Sequence, residues 1–191
     1  IKTVLSSNVF QESCYQHPIA LGINTNNVVC VADLAKMPHL LIAGASGQGK
    51  TTALNAIIAS LLYKKHPDQL KFVLIDPKET EFVPYNRLKD HYLAQLKGED
   101  SAVVSTPDSI ERTLNALCLE MDNRFSLLKD AGARSIKEYN KKFGDNLLDK
   151  ENAHRYLPYI VVIIDEHSDP LASLGSAFER QIVRIAQKSR A

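Results

Sequence analysis

No run of this sequence approaches the roughly 18 consecutive apolar residues that a membrane-spanning helix needs. The first ten residues, IKTVLSSNVF, lack the apolar core of a secretory signal. Cysteine is scarce: Cys14, Cys30 and Cys118 form no C-x-x-C pair, and an odd count suits a reducing compartment better than a disulfide framework. The six histidines are scattered. Cys14 and His17 stand three apart, but no second pair with ligand spacing supports a zinc site. There is no excess of charge of either sign. Lys plus Arg is 23 against 22 for Asp plus Glu, so a polyanionic partner would have to be met by a local patch and not by a global field. Internal repeats and low-complexity segments are absent. What remains is 45% hydrophobic and 24% charged over 191 residues, an ordinary globular composition, long enough for one full domain and short for two.

The richest local signal is IAGASGQGKTT, Ile42 to Thr52. Its spacing Gly44-x-x-x-x-Gly49-Lys50-Thr51 fits the P-loop pattern in full. Upstream, PHLLIAG reads as a buried strand bounded by Pro38 and Gly44. Downstream, TALNAIIASLLY reads as a largely apolar helix that stops at KKHP. A glycine-rich turn joining strand to helix would explain the glycines but not the Lys-Thr pair in register. The expectation is therefore that Gly44, Ala45, Ser46, Gly47, Gln48, Gly49, Lys50, Thr51 and Thr52 bind ATP. Loop N–H groups would converge on the phosphates at the positive end of the helix. Lys50 would reach the β- and γ-phosphates, and the Thr51 hydroxyl would hold Mg²⁺.

Before the loop, residues 1–36 read as an irregular arm and a hairpin, PIALGI and VVCVADL flanking the turn-forming NTNN. After it, LKFVLIDP is another buried strand, SAVVST a short one, and Thr106-Pro107 opens a helix as N-cap and N1. That helix carries Ile110, Leu114, Leu117, Met121, Phe125 and Leu128 as one apolar face ending near Gly132, with Cys118 as a core residue. SIKEYNKKF is a second, shorter helix, and GDNLLDKENAHR a polar surface connection.

Five consecutive β-branched residues, Ile160 to Ile164, then read as a fully buried strand of a parallel sheet. Asp165 and Glu166 stand at its C-terminal end. Such acids alone are commonly helix caps or solvated loop residues. With a P-loop in the same chain, Asp165 becomes a candidate for holding Mg²⁺ and Glu166 for polarising the attacking water. The chain closes with SAFERQIVRIAQKSRA, a helix expected to turn Phe178, Ile182, Val183, Ile185 and Ala186 inward.

Four segments, ADLAKMPHLLIAGASGQGKTT, FVLIDPK, YIVVIIDE and RIAQKSRA, resemble in order and spacing the motor domain of the FtsK/SpoIIIE DNA translocases, from about Pro18 to Ala191. The resemblance implies an α/β, RecA-like P-loop NTPase fold, with a mostly parallel sheet covered by helices on both faces after the N-terminal β-hairpin. It implies an arm and hairpin over 1–36 and an ATPase core over 37–191. By the same resemblance, a hexameric ring hydrolyses ATP and moves double-stranded DNA at cell division, chromosome partition or DNA transfer. Catalysis would fall to Lys50, Glu166 and, acting on a neighbouring subunit, Arg190, with Arg184 on the same helix as its rival. The segment would lie in the cytoplasm without touching the membrane, its longer parent anchored in the inner membrane.

The sequence departs from the family after Asp165-Glu166, where His167, Ser168, Asp169 and Pro170 stand. Pro170 is expected to reshape that loop, and His167 to face solvent. The family continues into a further strand, so the C-terminal part of the motor is expected to be missing here and the isolated segment to be inactive. Two other classes stay open: a coupling or secretion ring ATPase, and a nucleotide-binding module without turnover of its own.

Overall fold

The computed structural model describes residues 1–45, 47–99, 101–149 and 153–189. The chain divides into two compact units, Ile1–His66 and Pro67–Ala191. The first begins with two short helices, α1 (Lys2–Leu5) and α2 (Asn8–Gln11), where the sequence reads only as an irregular arm. The Ser7 hydroxyl caps α2 by accepting the Phe10 N–H. Next comes the antiparallel hairpin β1 (Pro18–Ile23) and β2 (Val29–Asp33), paired from Pro18 opposite Asp33 to Ile23 opposite Val29. Its turn is built by Asn24, whose Oδ1 accepts the N–H groups of Asn26 and Val28, the local bonding that makes asparagine a turn former.

Helix α3 (Lys50–Lys64) packs against β1. A bulge between Ala20 and Gly22 shifts the strand register, and the Ala20 N–H donates to the buried Ser60 hydroxyl on α3 at 3.0 Å. Val4, Leu5, Phe10 and Ala20 form this unit's core, with Val29, Val31 and Ala59 against it. At the other end of the hairpin, Asp33 accepts N–H groups from Gln16, His17 and Ala35. Burial, with the nearby Lys65 charge adding to it, pushes the His17 imidazole down to about 4, against the pull of Asp33.

The second unit is built on a parallel three-stranded sheet in the order β4 (Val103–Val104), β3 (Leu70–Ile75), β5 (Tyr159–Ile164). Because side chains alternate along a strand, Val73 and Ile75 share one face with Ile160, Val162 and Ile164. That face is covered by α4 (Pro107–Asp130), α6 (Ser168–Leu174) and α7 (Ser176–Lys188), through Ile110, Leu114, Leu174 and Phe178 among others. On the opposite face Leu70, Phe72, Leu74 and Ile163 are buried as well. Thr106 and Ser109 cap α4 reciprocally, with Pro107 in the first turn as its sequence implies. Helix α5 (Ile136–Gly144) packs through Tyr139 on Leu128 and Leu157. The Asn140 amide brackets Leu157 with bonds to both its carbonyl and its N–H, steering the chain into β5.

Several sequence expectations are corrected. Residues 38–44 form no strand, and Leu41 is 85% exposed. An apolar run becomes a strand only with a backbone neighbour to complete its ladder. No described strand pairs with this one, and β5 has β3 as its only described neighbour. Strand β5 is half-buried over Ile160–Val162 and not fully buried. Phe125 and Val183 lie at the edges of their helical stripes and are exposed. Pro170, the residue expected to reshape the segment after β5, enters the first turn of α6, where no intrahelical N–H is required.

Candidate functional site

In the first unit, the chain turns from Gly44 into α3 through Gly47 at φ 76° and Gly49 at φ 86°. A Cβ added at either would meet nothing within 4 Å among the described residues. Backbone conformation, not space, therefore reserves these two positions for glycine. Gly44 is different, since it has no positive φ and a Cβ there would lie 3.6 Å from Gln48 Cβ, an ordinary contact. Gly49 is the N-cap of α3 and offers no side chain to the helix's first N–H groups, which leaves those donors and the positive helix end to an anion. The Lys50 ammonium donates to the Gly44 carbonyl at 2.6 Å and reaches that of Ala45 at 3.4 Å, which holds its charge at the loop. Ala45, Gln48 and Thr52 are exposed and Thr51 is half-buried one residue into α3. Ser46 lies outside the described residues. Two left-handed glycines, an uncapped helix start and a lysine at the loop are the donor set a triphosphate fits.

In the second unit, β3 and β5 both end on an aspartate. The register places Ile75 opposite Ile164, so Asp76 and Asp165 leave the sheet side by side. The Asp165 N–H donates to the Ile75 carbonyl and the Asp76 N–H to that of Val104. Asp76 is fully buried; its Oδ2 accepts the N–H groups of Glu81 and Phe82, while its buried Oδ1 has no hydrogen-bond partner among the described residues. Burial pushes the half-buried Asp165 carboxyl above its ordinary range, with the negative charges of Asp76, Glu81 and Glu166 adding to it and Lys78 opposing. A group of that kind is stabilised by a cation. Among the described residues no three or more His, Cys, Asp or Glu converge as a metal cage. Mg²⁺ is usually held by one or two protein oxygens together with water and phosphate, and the Asp165 carboxyl is an oxygen donor of that kind.

Glu166 adopts φ 54°, unusual for a residue with a side chain. Its Oε1 accepts the Ser168 hydroxyl at 2.8 Å and its Oε2 lies 3.5 Å from the Lys78 ammonium. Lys78 is also 3.4 Å from Asp169. His167 is exposed, as expected, with its ring 5.2 Å from that of Phe178. Arg184 pairs with Asp122 of α4, beside Lys188; Arg190 lies outside the described residues. Sequence reasoning assigned no role to Asp76, Lys78 or Glu81. The available signal was that two apolar strands each run out into an acid, which in a parallel pair brings the acids together.

The FtsK/SpoIIIE family model matches residues 1–191. The chain is 43% identical over 192 residues to DNA translocase FtsK of Chlorobaculum tepidum, covering all of this chain and 23% of that protein. It is 36% identical over 211 residues to DNA translocase FtsK of Haemophilus influenzae, again across the whole chain and 38% of the relative. The chain thus spans a quarter to two fifths of these relatives' length. Among solved structures, the pCW3 conjugation coupling protein TcpA, in monomer form with ATPγS, superposes with TM-score 0.68 at 26% identity over 94% of this chain and 46% of that one. The cytoplasmic domain of the type VII secretion ATPase EccC of Thermomonospora curvata superposes with TM-score 0.73 at 23% identity over 92% and 20%. The fold is that of P-loop ATPase motor domains, with a parallel sheet flanked by helices and an N-terminal hairpin. Matched by the family model from end to end, and by relatives above one third identity over its full length, this chain belongs to the FtsK/SpoIIIE family.

Proposed function

We propose that this chain is the ATP-binding and hydrolysing part of a double-stranded DNA translocase acting in cell division, chromosome partition or DNA transfer. The observation that carries the reading is the P-loop: left-handed Gly47 and Gly49 opening α3 with Lys50 held at the loop. In this reading Gly44 to Thr52, Ser46 included, bind the phosphates, with Thr51 and Asp165 as the Mg²⁺ ligands. The metal's chemistry there is to neutralise phosphate charge. Glu166 orients the attacking water and takes its proton as the water oxygen bonds to the γ-phosphorus and the bond to the β-γ bridging oxygen breaks. ADP and inorganic phosphate leave. Arg190 acts on a neighbouring subunit's nucleotide, where such a residue contributes on the order of 10³ to 10⁵ in rate.

The same proposal takes 1–36 as an arm and hairpin, 37–191 as the ATPase core, a hexamer as the working form, and a cytoplasmic position within a membrane-anchored parent. Among the described residues no helix is long and apolar enough to cross a membrane. We further propose that the isolated segment has negligible turnover. An exposed Leu41 in an apolar run with no described strand partner, and a β5 with one described neighbour, support this. The likeness to a conjugation coupling protein and a secretion ATPase favours, as a second reading, a ring motor coupled to another cargo. ATP binding and turnover by Glu166→Gln in the native protein containing this chain test the first reading. Binding kept and hydrolysis lost is the expected result; normal turnover would remove Glu166 from the mechanism.

A further inference from the structure

The turn after β3 is fixed by its own chemistry. The Glu79 N–H donates to the Asp76 carbonyl at 3.1 Å, which closes a four-residue turn with Pro77 at its second position, where proline's fixed φ is favoured. The third residue of that turn is Lys78. Its ammonium bridges two carboxylates of the β5–α6 connection, Glu166 at 3.5 Å and Asp169 at 3.4 Å. The other oxygen of Glu166 accepts the Ser168 hydroxyl, and the Glu166 carbonyl accepts the Asp169 N–H at 3.1 Å. Glu166 is thus a left-handed residue whose carboxylate is held from both sides.

We propose that Lys78 is a positioning residue for Glu166, holding its carboxylate from the β3 turn in the orientation that directs the attacking water during ATP hydrolysis. The inference rests on the reading of Glu166 given above. One observation and two general points favour positioning over a fold-stabilising role. The side chains of Lys78, Glu166 and Asp169 are 52%, 40% and 39% exposed, and solvated ion pairs of this kind contribute little to folding. A glutamate has three side-chain torsions, so an unheld carboxylate samples many directions. Misplacement of a reacting group by about 1 Å is enough to cost on the order of 10²-fold in rate. The Asp169 and Glu166 charges hold the lysine above its ordinary range, so the ammonium stays charged at working pH.

The test is steady-state ATP hydrolysis by the full native protein carrying Lys78→Met, Lys78→Arg, Glu166→Gln, and Glu166→Gln with Lys78→Met. A fluorescent ATP analogue is titrated in parallel. Lys78→Met is expected to lower kcat about 10- to 100-fold with the KM and the analogue's Kd unchanged. Lys78→Arg, which keeps the charge and the reach, should stay within about threefold of wild type. Adding Lys78→Met to Glu166→Gln should cost nothing further, because the two act through one carboxylate. An unchanged or raised kcat in Lys78→Met would overturn the proposal, and so would a rise in KM or Kd, or an arginine variant as slow as methionine. Full activity in Glu166→Gln would instead sink the role of Glu166 itself, an outcome readable without any Lys78 variant.

Discussion

Gly49→Ala is the substitution whose cost follows most directly from the backbone. Gly49 holds φ 86° and ψ 18° as the N-cap of α3, and a non-glycine residue in the left-handed region costs about 1–2 kcal/mol. Among the described residues, setting aside its chain neighbours, no atom stands within 4 Å of the added Cβ, so no steric clash enlarges that figure. Two outlets exist for the strain. If the loop keeps its shape, the folded state loses about 1–2 kcal/mol, read as a lower urea midpoint at unchanged slope. If the loop relaxes, the phosphate donors leave their arrangement and the cost moves to binding, about 5- to 30-fold in ATP-analogue affinity. Gly44→Ala is the control: its φ is not positive and its Cβ would make only ordinary contacts, so the unliganded protein should keep wild-type stability. Equilibrium urea unfolding followed by circular dichroism, beside analogue titration, reads both outlets. A Gly49→Ala protein matching wild type in both would refute the argument, as would a Gly44→Ala protein as unstable as Gly49→Ala.

Acid should weaken the first unit through His17. Its imidazole sits at about 4 in the folded chain against 6.5 unfolded, so the unfolded state binds the extra proton between those values. Stability is full above about pH 6.5 and falls as pH drops towards 4, by about 2 kcal/mol between pH 7.5 and pH 5. Urea midpoints at the two pH values measure this, and a His17→Gln protein with the same slope would contradict it. Asp33, kept below its ordinary range by N–H donors that outweigh its burial, adds its loss only at more acid pH. Ser60→Ala strips the Ala20 N–H of its 3.0 Å acceptor and should cost about 1–3 kcal/mol; an unchanged midpoint would mean the bulge finds another partner. For Arg190→Ala, each subunit should bind ATP normally and the assembled protein lose turnover. Mixing it with Lys50→Ala subunits should restore some activity, and no rescue at any ratio would count against action between subunits.

Much of the second unit was legible because its signals are local. A continuous apolar run bounded by Lys71 and Pro77 can hardly be anything but the strand β3, and the Thr106-Pro107 start with a spaced apolar stripe gives α4 its cap and its face. The P-loop was legible for the same reason, since its glycines, lysine and threonine are consecutive. The failures are those of partnership. Leu40 and Leu41 read as a strand because they are apolar, but whether a ladder neighbour exists is not written in those residues. The helical place of Pro170 was not legible either, because its register is invisible until the helix start at Ser168 is known. Lys78 and Asp76 drew no notice as site residues because 87 residues separate Lys78 from Asp165 in sequence, and only the parallel register of β3 and β5 brings the strand ends together. The short helices α1 and α2 are one turn each, too brief for any periodicity to mark them.

The central claim is that the Gly44–Thr51 loop serves ATP turnover coupled to DNA. Its most direct test is phosphate release by the native protein containing this chain, with and without double-stranded DNA, as wild type and as Lys50→Ala. The account predicts turnover that rises on adding duplex DNA and is abolished in Lys50→Ala. Turnover indifferent to DNA would contradict the translocase reading, and wild-type turnover in Lys50→Ala would contradict the site itself.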